Sequence, residues 1–279
     1  MTINKDIPRA GVMGWPIEHS KSPRLHGYWL AKYNLPGSYT HIPSPPDSFE
    51  ADMRALATKG WRGANVTIPH KENALALADT ASPAAKAIGA ANTLIVGENG
   101  QIHADNTDGF GFIENLKDRA KDKWNPTAPA FILGAGGAAR GVIHALLTAG
   151  APEIRIANRT RERAETLADV FGPKVKVIDW NDRSAALAGT GLIVNTTSLG
   201  MSGQPPLDLA FDDADPSAVA TDIVYTPLIT PFLTAAAAKN LTTVDGLGML
   251  LHQARPGFEA WFGKASEVDE VLRQKVLAP

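Results

Sequence analysis

The strongest chemical signal in the chain is a glycine turn, Gly134-Ala135-Gly136-Gly137-Ala138-Ala139-Arg140-Gly141, entered from the apolar run Ala130–Leu133 and followed by Val142-Ile143-His144-Ala145-Leu146-Leu147. An apolar strand that passes through clustered glycines into an apolar-periodic helix is the setting in which a dinucleotide is held. Gly134 permits the tight turn, Gly136 lets a pyrophosphate approach the backbone, and Ala139 is small enough for close helix–strand packing. The free N–H groups of the helix start then receive the phosphates. A merely tight β–α turn is the plainer alternative, and the strand–turn–helix context weighs against it.

The next apolar run, Ile154–Ala157, ends at Asn158-Arg159-Thr160-Arg161-Glu162-Arg163. An NAD site would present an Asp or Glu here to the ribose 2′-hydroxyl. This chain presents arginines. Arg159 and Arg163 lie four apart and would share a helix face, so they can converge on a phosphate, which favours NADP. Arg161 has the plainer reading of a solvated residue that pairs with Glu162 or Glu165.

Three polar clusters precede the glycine turn. In His19-Ser20-Lys21-Ser22-Pro23-Arg24-Leu25-His26, Ser22 and Pro23 read as an N-cap and first helical residue. Two hydroxyls beside free helix N–H groups would also bind a carboxylate. In Gly63-Ala64-Asn65-Val66-Thr67-Ile68-Pro69-His70-Lys71, strand alternation sends Asn65 and Thr67 to one face, and Pro69 is expected to open a helix carrying Lys71. A polar face on a buried strand needs partners, which neighbouring backbone could supply, and most lysines are simply solvated. The third cluster joins Ala90-Ala91-Asn92-Thr93 with Asp105-Asn106-Thr107-Asp108-Gly109, where Asx turns and N-caps are the ordinary roles.

These clusters need elements to hold them, and the chain alternates short apolar runs with helical-length segments, the pattern of an α/β architecture. Strands are expected near Arg9–Met13, Ser38–Ile42, Gly63–Thr67 and Thr93–Val96, with helices near Pro23–Tyr33, Ser48–Lys59 and Lys71–Ala78. An amphipathic helix carrying Phe112, Leu116 and Ala120 leads into a second series at Phe131–Leu133, Ile154–Ala157, Val175–Ile178, Leu192–Asn195, Val219–Val224 and Leu241–Val244. Six strands separated by crossovers suggest a doubly wound sheet. From Leu247 the pattern turns helical and is expected to pack back on the first part.

With 279 residues the chain is long enough for two modest domains. Lys+Arg at 27 against Asp+Glu at 29 leaves a net charge of -2, so no global positive field draws nucleic acid or an anionic membrane. There are no cysteines, which excludes disulfides, thiolate metal sites and a Cys nucleophile. Redox chemistry would therefore need an organic cofactor. The start lacks a signal-peptide pattern and no apolar run approaches the ~18 residues of a membrane span, so the expected location is cytoplasmic. The seven histidines, at 19, 26, 41, 70, 103, 144 and 252, show no metal-ligand spacing, and no metal is expected. His144 reads as a packed helix residue and the others as loop or surface residues.

In order, HSKSP, NVTIPHK, AANT, DNTDG, GAGGAAR, NRT, NTTSLGM and GLGMLLHQ resemble the shikimate dehydrogenase family from Ser20 to Gln253. The resemblance implies an α/β protein of two domains. A substrate-binding and catalytic domain with a mainly parallel sheet would comprise residues 1–109 plus 250–279, and a Rossmann-like doubly wound NADP-binding domain residues 110–249. It implies reversible NADPH-dependent reduction of 3-dehydroshikimate to shikimate, in aromatic amino-acid biosynthesis, by a monomer or homodimer with small-molecule partners only.

Position by position, the resemblance implies that Ser20 and Ser22 hold the substrate carboxylate, and that Asn65, Thr67, Asn92 and Gln253 bond the ring hydroxyls, with Tyr225 also on the substrate. Lys71 and Asp108 match the catalytic pair. Gly134, Ala135, Gly136, Gly137, Ala138, Ala139, Asn158, Arg159, Thr160 and Arg163 match the NADP-binding elements, and Thr196, Val224, Gly246 and Met249 match segments near the nicotinamide. His70 stands where the family commonly has another aromatic residue. The rivals are an NAD-preferring quinate/shikimate dehydrogenase, a methylenetetrahydrofolate dehydrogenase, which would lack the paired serines, and a non-catalytic NADP-binding sensor, against which Lys71 and Asp108 argue.

Overall fold

The computed structural model describes residues 7–278. The chain divides into two compact units, Met1–Thr107 with Gln253–Pro279, and Asp108–His252.

The first unit is built on β1 (Arg9–Gly14), β2 (Ser38–Pro43), β3 (Gly63–Val66), β4 (Thr80–Ala81), β5 (Thr93–Val96) and β6 (Ile102–Asp105), with α1 (Ser22–Lys32), α2 (Phe49–Thr58), α3 (Lys71–Leu77) and α4 (Pro83–Ile88) between them. The sheet order is β2-β1-β3-β5-β6-β4. β1 pairs in parallel with β2 and β3, while β5 runs antiparallel to both β3 and β6. The reversal has a local cause. A connection of five residues, Gly97–Gln101, is too short for a crossover, and it closes as a turn with Gly100 at φ +80°. Met13, Phe49, Met53, Leu56, Val66 and Leu94 fill the core on one side of this sheet.

Helix starts differ from the sequence expectation at two places. Ser22 is the first residue of α1 and Lys21 its cap, so Ser22 is not the N-cap. The Ser20 hydroxyl instead accepts from the Ser22 N–H at 3.4 Å, tying down one of the free amides of the helix start. Pro69 does not open α3, which begins two residues later at Lys71 with His70 as its cap.

The second unit holds β7 (Ala130–Leu133), β8 (Ile154–Ala157), β9 (Val175–Ile178), β10 (Leu192–Asn195), β11 (Val219–Asp222) and β12 (Thr242–Val244). They form one all-parallel sheet in the order β12-β11-β10-β7-β8-β9. Both faces are covered, so β7 is apolar throughout: Ala130 and Ile132 join one core, Phe131 and Leu133 the other. The helices are α5 (Asp108–Arg119), α6 (Gly137–Ala149), α7 (Arg161–Phe171) and α8 (Pro231–Ala238). Successive strands are added outward from β7 to β9 and then, from β10, on the other side of β7, so the strand order reverses between β7 and β10, the switch point where such sheets place ligands. Helix α9 (Leu247–Phe262) begins in this unit and ends in the first, where α10 (Glu270–Leu277) packs on α1.

Candidate active site

In the first unit Asn65, Asn92, Thr93, Thr107 and Gln253 form one bonded chain. Asn65, 6% exposed, accepts at Oδ1 from the Tyr39 hydroxyl at 2.7 Å and donates from Nδ2 to the Asn92 carbonyl at 3.1 Å and to Thr93 Oγ1 at 3.2 Å. Asn92 in turn donates to Gln253 Oε1 at 3.3 Å, and its own Oδ1 accepts from the Thr107 N–H at 2.9 Å. The AANT and DNTDG loops are thus stitched together, with Asn106 Nδ2 donating to the Ala90 carbonyl at 2.8 Å. Ser22, buried at the start of α1, is the polar neighbour of the Tyr39 phenol. Burial pushes that phenol well above its ordinary range and Ser22 only partly opposes this, so Tyr39 is a protonated donor at neutral pH.

Thr67 follows β3 directly, half-buried, with its N–H on the Met13 carbonyl at 3.0 Å and its carbonyl accepting from the His70 N–H at 3.0 Å. Lys71, half-buried, heads α3, and its carbonyl accepts from the Ala91 N–H at 2.8 Å, which fixes its backbone against the AANT loop. His70 lies flat on Phe49, with centroids 4.2 Å apart and planes at 8°, and its Nε2 meets the Ser44 carbonyl at 2.7 Å. The aromatic plate is therefore kept by an imidazole.

In the second unit Asp108 is the first residue of α5, half-buried. Gly109 behind it lets α5 and α6 approach closely: a Cβ there would lie 3.0 Å from the Ala145 Cβ and 3.2 Å from the Gly141 carbonyl oxygen. Gly134 turns at φ +105°, where a Cβ would stand 2.7 Å from Thr196 Oγ1. That hydroxyl is itself engaged, donating to the Leu133 carbonyl at 2.7 Å. Gly136 caps α6 with no side-chain hydrogen bond, a Cβ at Gly136 or Gly137 would meet nothing within 4 Å, and Ala139 is fully buried. Open space over uncapped amides suits a pyrophosphate.

Arg159 and Arg163 are both exposed, as a phosphate clamp requires, while Arg161 pairs with Glu165 at 2.8 Å. Arg159 lies two residues before α7, so the shared helix face expected for Arg159 and Arg163 does not exist. Any convergence depends on the turn, where Asn158 Nδ2 donates to the Thr160 carbonyl at 2.7 Å.

Beyond β10 and β11 a buried carboxylate does the organising. Asp222 accepts from Asn195 Nδ2 on both oxygens at 3.1 Å, from the Val224 N–H at 2.9 Å and from Thr230 Oγ1 at 2.7 Å. Burial raises its pKa despite those donors. Asn195 Oδ1 also receives the Thr197 N–H at 3.0 Å, so one network shapes both the Thr196 turn and the Val224–Tyr225 segment. Burial likewise raises the pKa of the Tyr225 phenol. Gly246 has no alternative residue, because a Cβ would stand 2.4 Å from the Ile223 carbonyl oxygen. Met249 packs on the neighbouring core.

Sequence reasoning missed Tyr39, Asp222 and the histidines. His26, His70 and His252 are buried rather than at the surface, and His144 is only partly covered. A signal existed for His26, which is four residues beyond Ser22 and so on its helix face. Among the described residues no group of three or more His, Cys, Asp or Glu could hold a metal ion, and no helix is long and apolar enough to cross a membrane.

The family model described as shikimate dehydrogenase substrate binding domain matches residues 12–94, and that described as shikimate / quinate 5-dehydrogenase matches residues 118–202. Over 275 residues the chain is 55% identical to the shikimate dehydrogenase (NADP(+)) of Paracoccus denitrificans, covering 98% of this chain and 97% of that one. It is similar to the structure of the Thermus thermophilus shikimate 5-dehydrogenase in complex with NADP(H) and shikimate, with a TM-score of 0.86 at 35% identity over 97% and 98% of the two chains. The quinate dehydrogenase of Corynebacterium glutamicum in complex with NAD gives a TM-score of 0.89 at 27% identity over 97% and 99%.

Proposed function

The chain belongs to the shikimate dehydrogenase family and is an NADP-dependent oxidoreductase that interconverts 3-dehydroshikimate and shikimate; we propose that Lys71 and Asp108 serve the proton in that reaction. The nicotinamide supplies or removes a hydride at carbon, which leaves the proton on oxygen to the protein. Lys71, as an ammonium, donates to the oxygen that becomes the shikimate hydroxyl during reduction. In oxidation the neutral amine takes the proton back. Asp108 accepts a hydrogen bond from that same hydroxyl.

The substrate carboxylate goes to the Ser20 and Ser22 hydroxyls, and the ring hydroxyls to Asn65, Thr67, Asn92, Gln253 and Tyr225. The observation that carries this reading is the hydrogen-bonded chain from the buried Asn65 and Asn92 to the half-buried Gln253, because polar groups fixed in this way are ready to receive a polyhydroxylated ring. NADP is held by the Gly134–Ala139 turn, by the Asn158-Arg159-Thr160 run with Arg163, and near its nicotinamide by Thr196, Val224, Gly246 and Met249. In this reading Met1–Thr107 with Gln253–Pro279 is the substrate unit and Asp108–His252 the cofactor unit. The enzyme is cytoplasmic, a monomer or homodimer, and handles diffusible metabolites.

Steady-state kinetics of Lys71→Ala test the proton role. Turnover falls by about 10²–10⁴-fold, the usual worth of a positioned acid–base group, while the KM for shikimate changes far less. Comparable turnover in the folded variant removes Lys71 from the chemistry.

A further inference from the structure

Tyr39 is buried, and its reach is set by the sheet. It pairs with Ala10 across β2 and β1, while Asn65 pairs with Val12 across β3 and β1, so Ala10, Val12, Tyr39 and Asn65 share one face. Two strand spacings separate β2 from β3, about 9–10 Å, which a tyrosine side chain laid over the small Ala10 can cross. Its hydroxyl then meets Asn65 Oδ1 at 2.7 Å.

His26 holds the ring in that pose. The imidazole is 0% exposed and stacks on Tyr39 with centroids 3.9 Å apart and planes at 8°, boxed in by Trp29, Phe258 and Trp261. Burial lowers its pKa to about 3, so at neutral pH it is an uncharged plate. A carboxamide has two donors and two acceptor lone pairs. In Asn65 both donors are spent on Asn92 and Thr93 and Oδ1 accepts from Tyr39, so no donor is left for a ligand and only an acceptor position on Oδ1, beside the His26 imidazole, can face one.

We infer that Tyr39, stacked on His26, is a positioning residue that fixes the Asn65 carboxamide, so that the acceptor position on Oδ1 reads one ring hydroxyl of the substrate. This inference rests on the reading that Asn65 binds a ring hydroxyl. Removing the phenol leaves Oδ1 less restrained and short of a partner, and the loss falls on substrate recognition rather than on the chemical step.

The test is steady-state kinetics of Tyr39→Phe, Asn65→Ala and the double variant. Asn65→Ala raises the KM for shikimate about tenfold or more and Tyr39→Phe about three- to tenfold, as expected for lost buried hydrogen bonds, and in Tyr39→Phe turnover and the KM for NADP stay within about twofold. In the double variant the Tyr39 change adds nothing to the Asn65 change. Additive effects, an unchanged KM in Tyr39→Phe, or an equal fall in turnover would overturn the positioning role. An unchanged KM in Asn65→Ala overturns the underlying reading of Asn65 and this inference with it. Should Tyr39→Phe not fold, Thr93→Val removes the hydroxyl that accepts from Asn65 Nδ2 and donates to Asn92 Oδ1, so it must raise the KM for shikimate more in the parent than in the Asn65→Ala background. If it does not, the inference fails.

Discussion

Asn65 and Gly134 stand at corresponding places, at or just past the carboxyl end of a central strand in each sheet, and they are built in opposite ways. Asn65 is almost fully bonded before any ligand arrives, by Tyr39, Asn92 and Thr93. Gly134 and its neighbours Gly136 and Gly137 offer bare backbone at the start of an uncapped helix. A small ring bearing several hydroxyls has to be recognised by atoms of fixed polarity, which a buried network with few degrees of freedom would supply in the proposed reading. A pyrophosphate is recognised by charge and N–H direction, so its site needs space and a helix start. Only at the adenosine end of the cofactor would charged side chains be needed, and there Arg159 and Arg163 are exposed.

The largest effect expected from this contrast is at Arg159. Arg159→Ala raises the KM for NADP about ten- to a hundredfold, the worth of a charge-assisted hydrogen bond, and leaves that for NAD within about twofold. Arg161→Ala changes neither, because Arg161 is paired with Glu165. Equal effects of Arg159→Ala on both cofactors would defeat the clamp.

A smaller effect separates the roles of two glycines. Gly134→Ala meets both a φ of +105° and Thr196 Oγ1, and costs about 1–3 kcal/mol of stability in thermal or denaturant unfolding, with weaker NADP binding. Gly136→Ala has φ -95° and open space, so it spares the melting temperature and raises only the KM for NADP. If Gly136→Ala leaves that KM unchanged, the phosphates do not lie over this turn.

The cofactor half was far more legible in the sequence than the substrate half, for a physical reason. Its signals are local: Gly134 to Ala139 and Asn158 to Arg163 each act within one turn, and parallel strands buried on both faces read as continuous apolar runs. The substrate half depends on contacts between distant residues. Nothing in SYTHIP announces that Tyr39 reaches Asn65, and nothing in NVTIPHK says that Asn65 is tied to Asn92. Asp222 and Asn195 are likewise 27 positions apart. Ile102–Asp105 escaped because two of its four residues, His103 and Asp105, are polar, and Thr80–Ala81 because two residues carry no period. The Ser82-Pro83 start and Gly89 stop of α4 were readable, since Ser82 accepts the Ala85 N–H and Gly89 sits at φ +74°.

The smallest expected effect concerns pH and belongs to the substrate half alone. Above its ordinary value of 6.5, His26 is neutral in both folded and unfolded chains. Below it the unfolded chain takes up a proton that the folded chain refuses until about pH 3, so stability falls as pH falls across that window. The slope approaches about 1.4 kcal/mol per pH unit. In His26→Phe this contribution is gone, and urea unfolding at pH 7 and pH 5 should show a smaller difference than in the parent. An identical difference would mean that His26 is protonated in the fold.

The most direct test of the whole account is the initial rate of nicotinamide reduction by the purified enzyme with shikimate or quinate, each paired with NADP or NAD. Shikimate with NADP gives the highest kcat/KM of the four pairs, by at least about tenfold over either NAD pair, in keeping with an arginine clamp on the 2′-phosphate. No reduction with shikimate and NADP, or a preference for quinate with NAD, would contradict it.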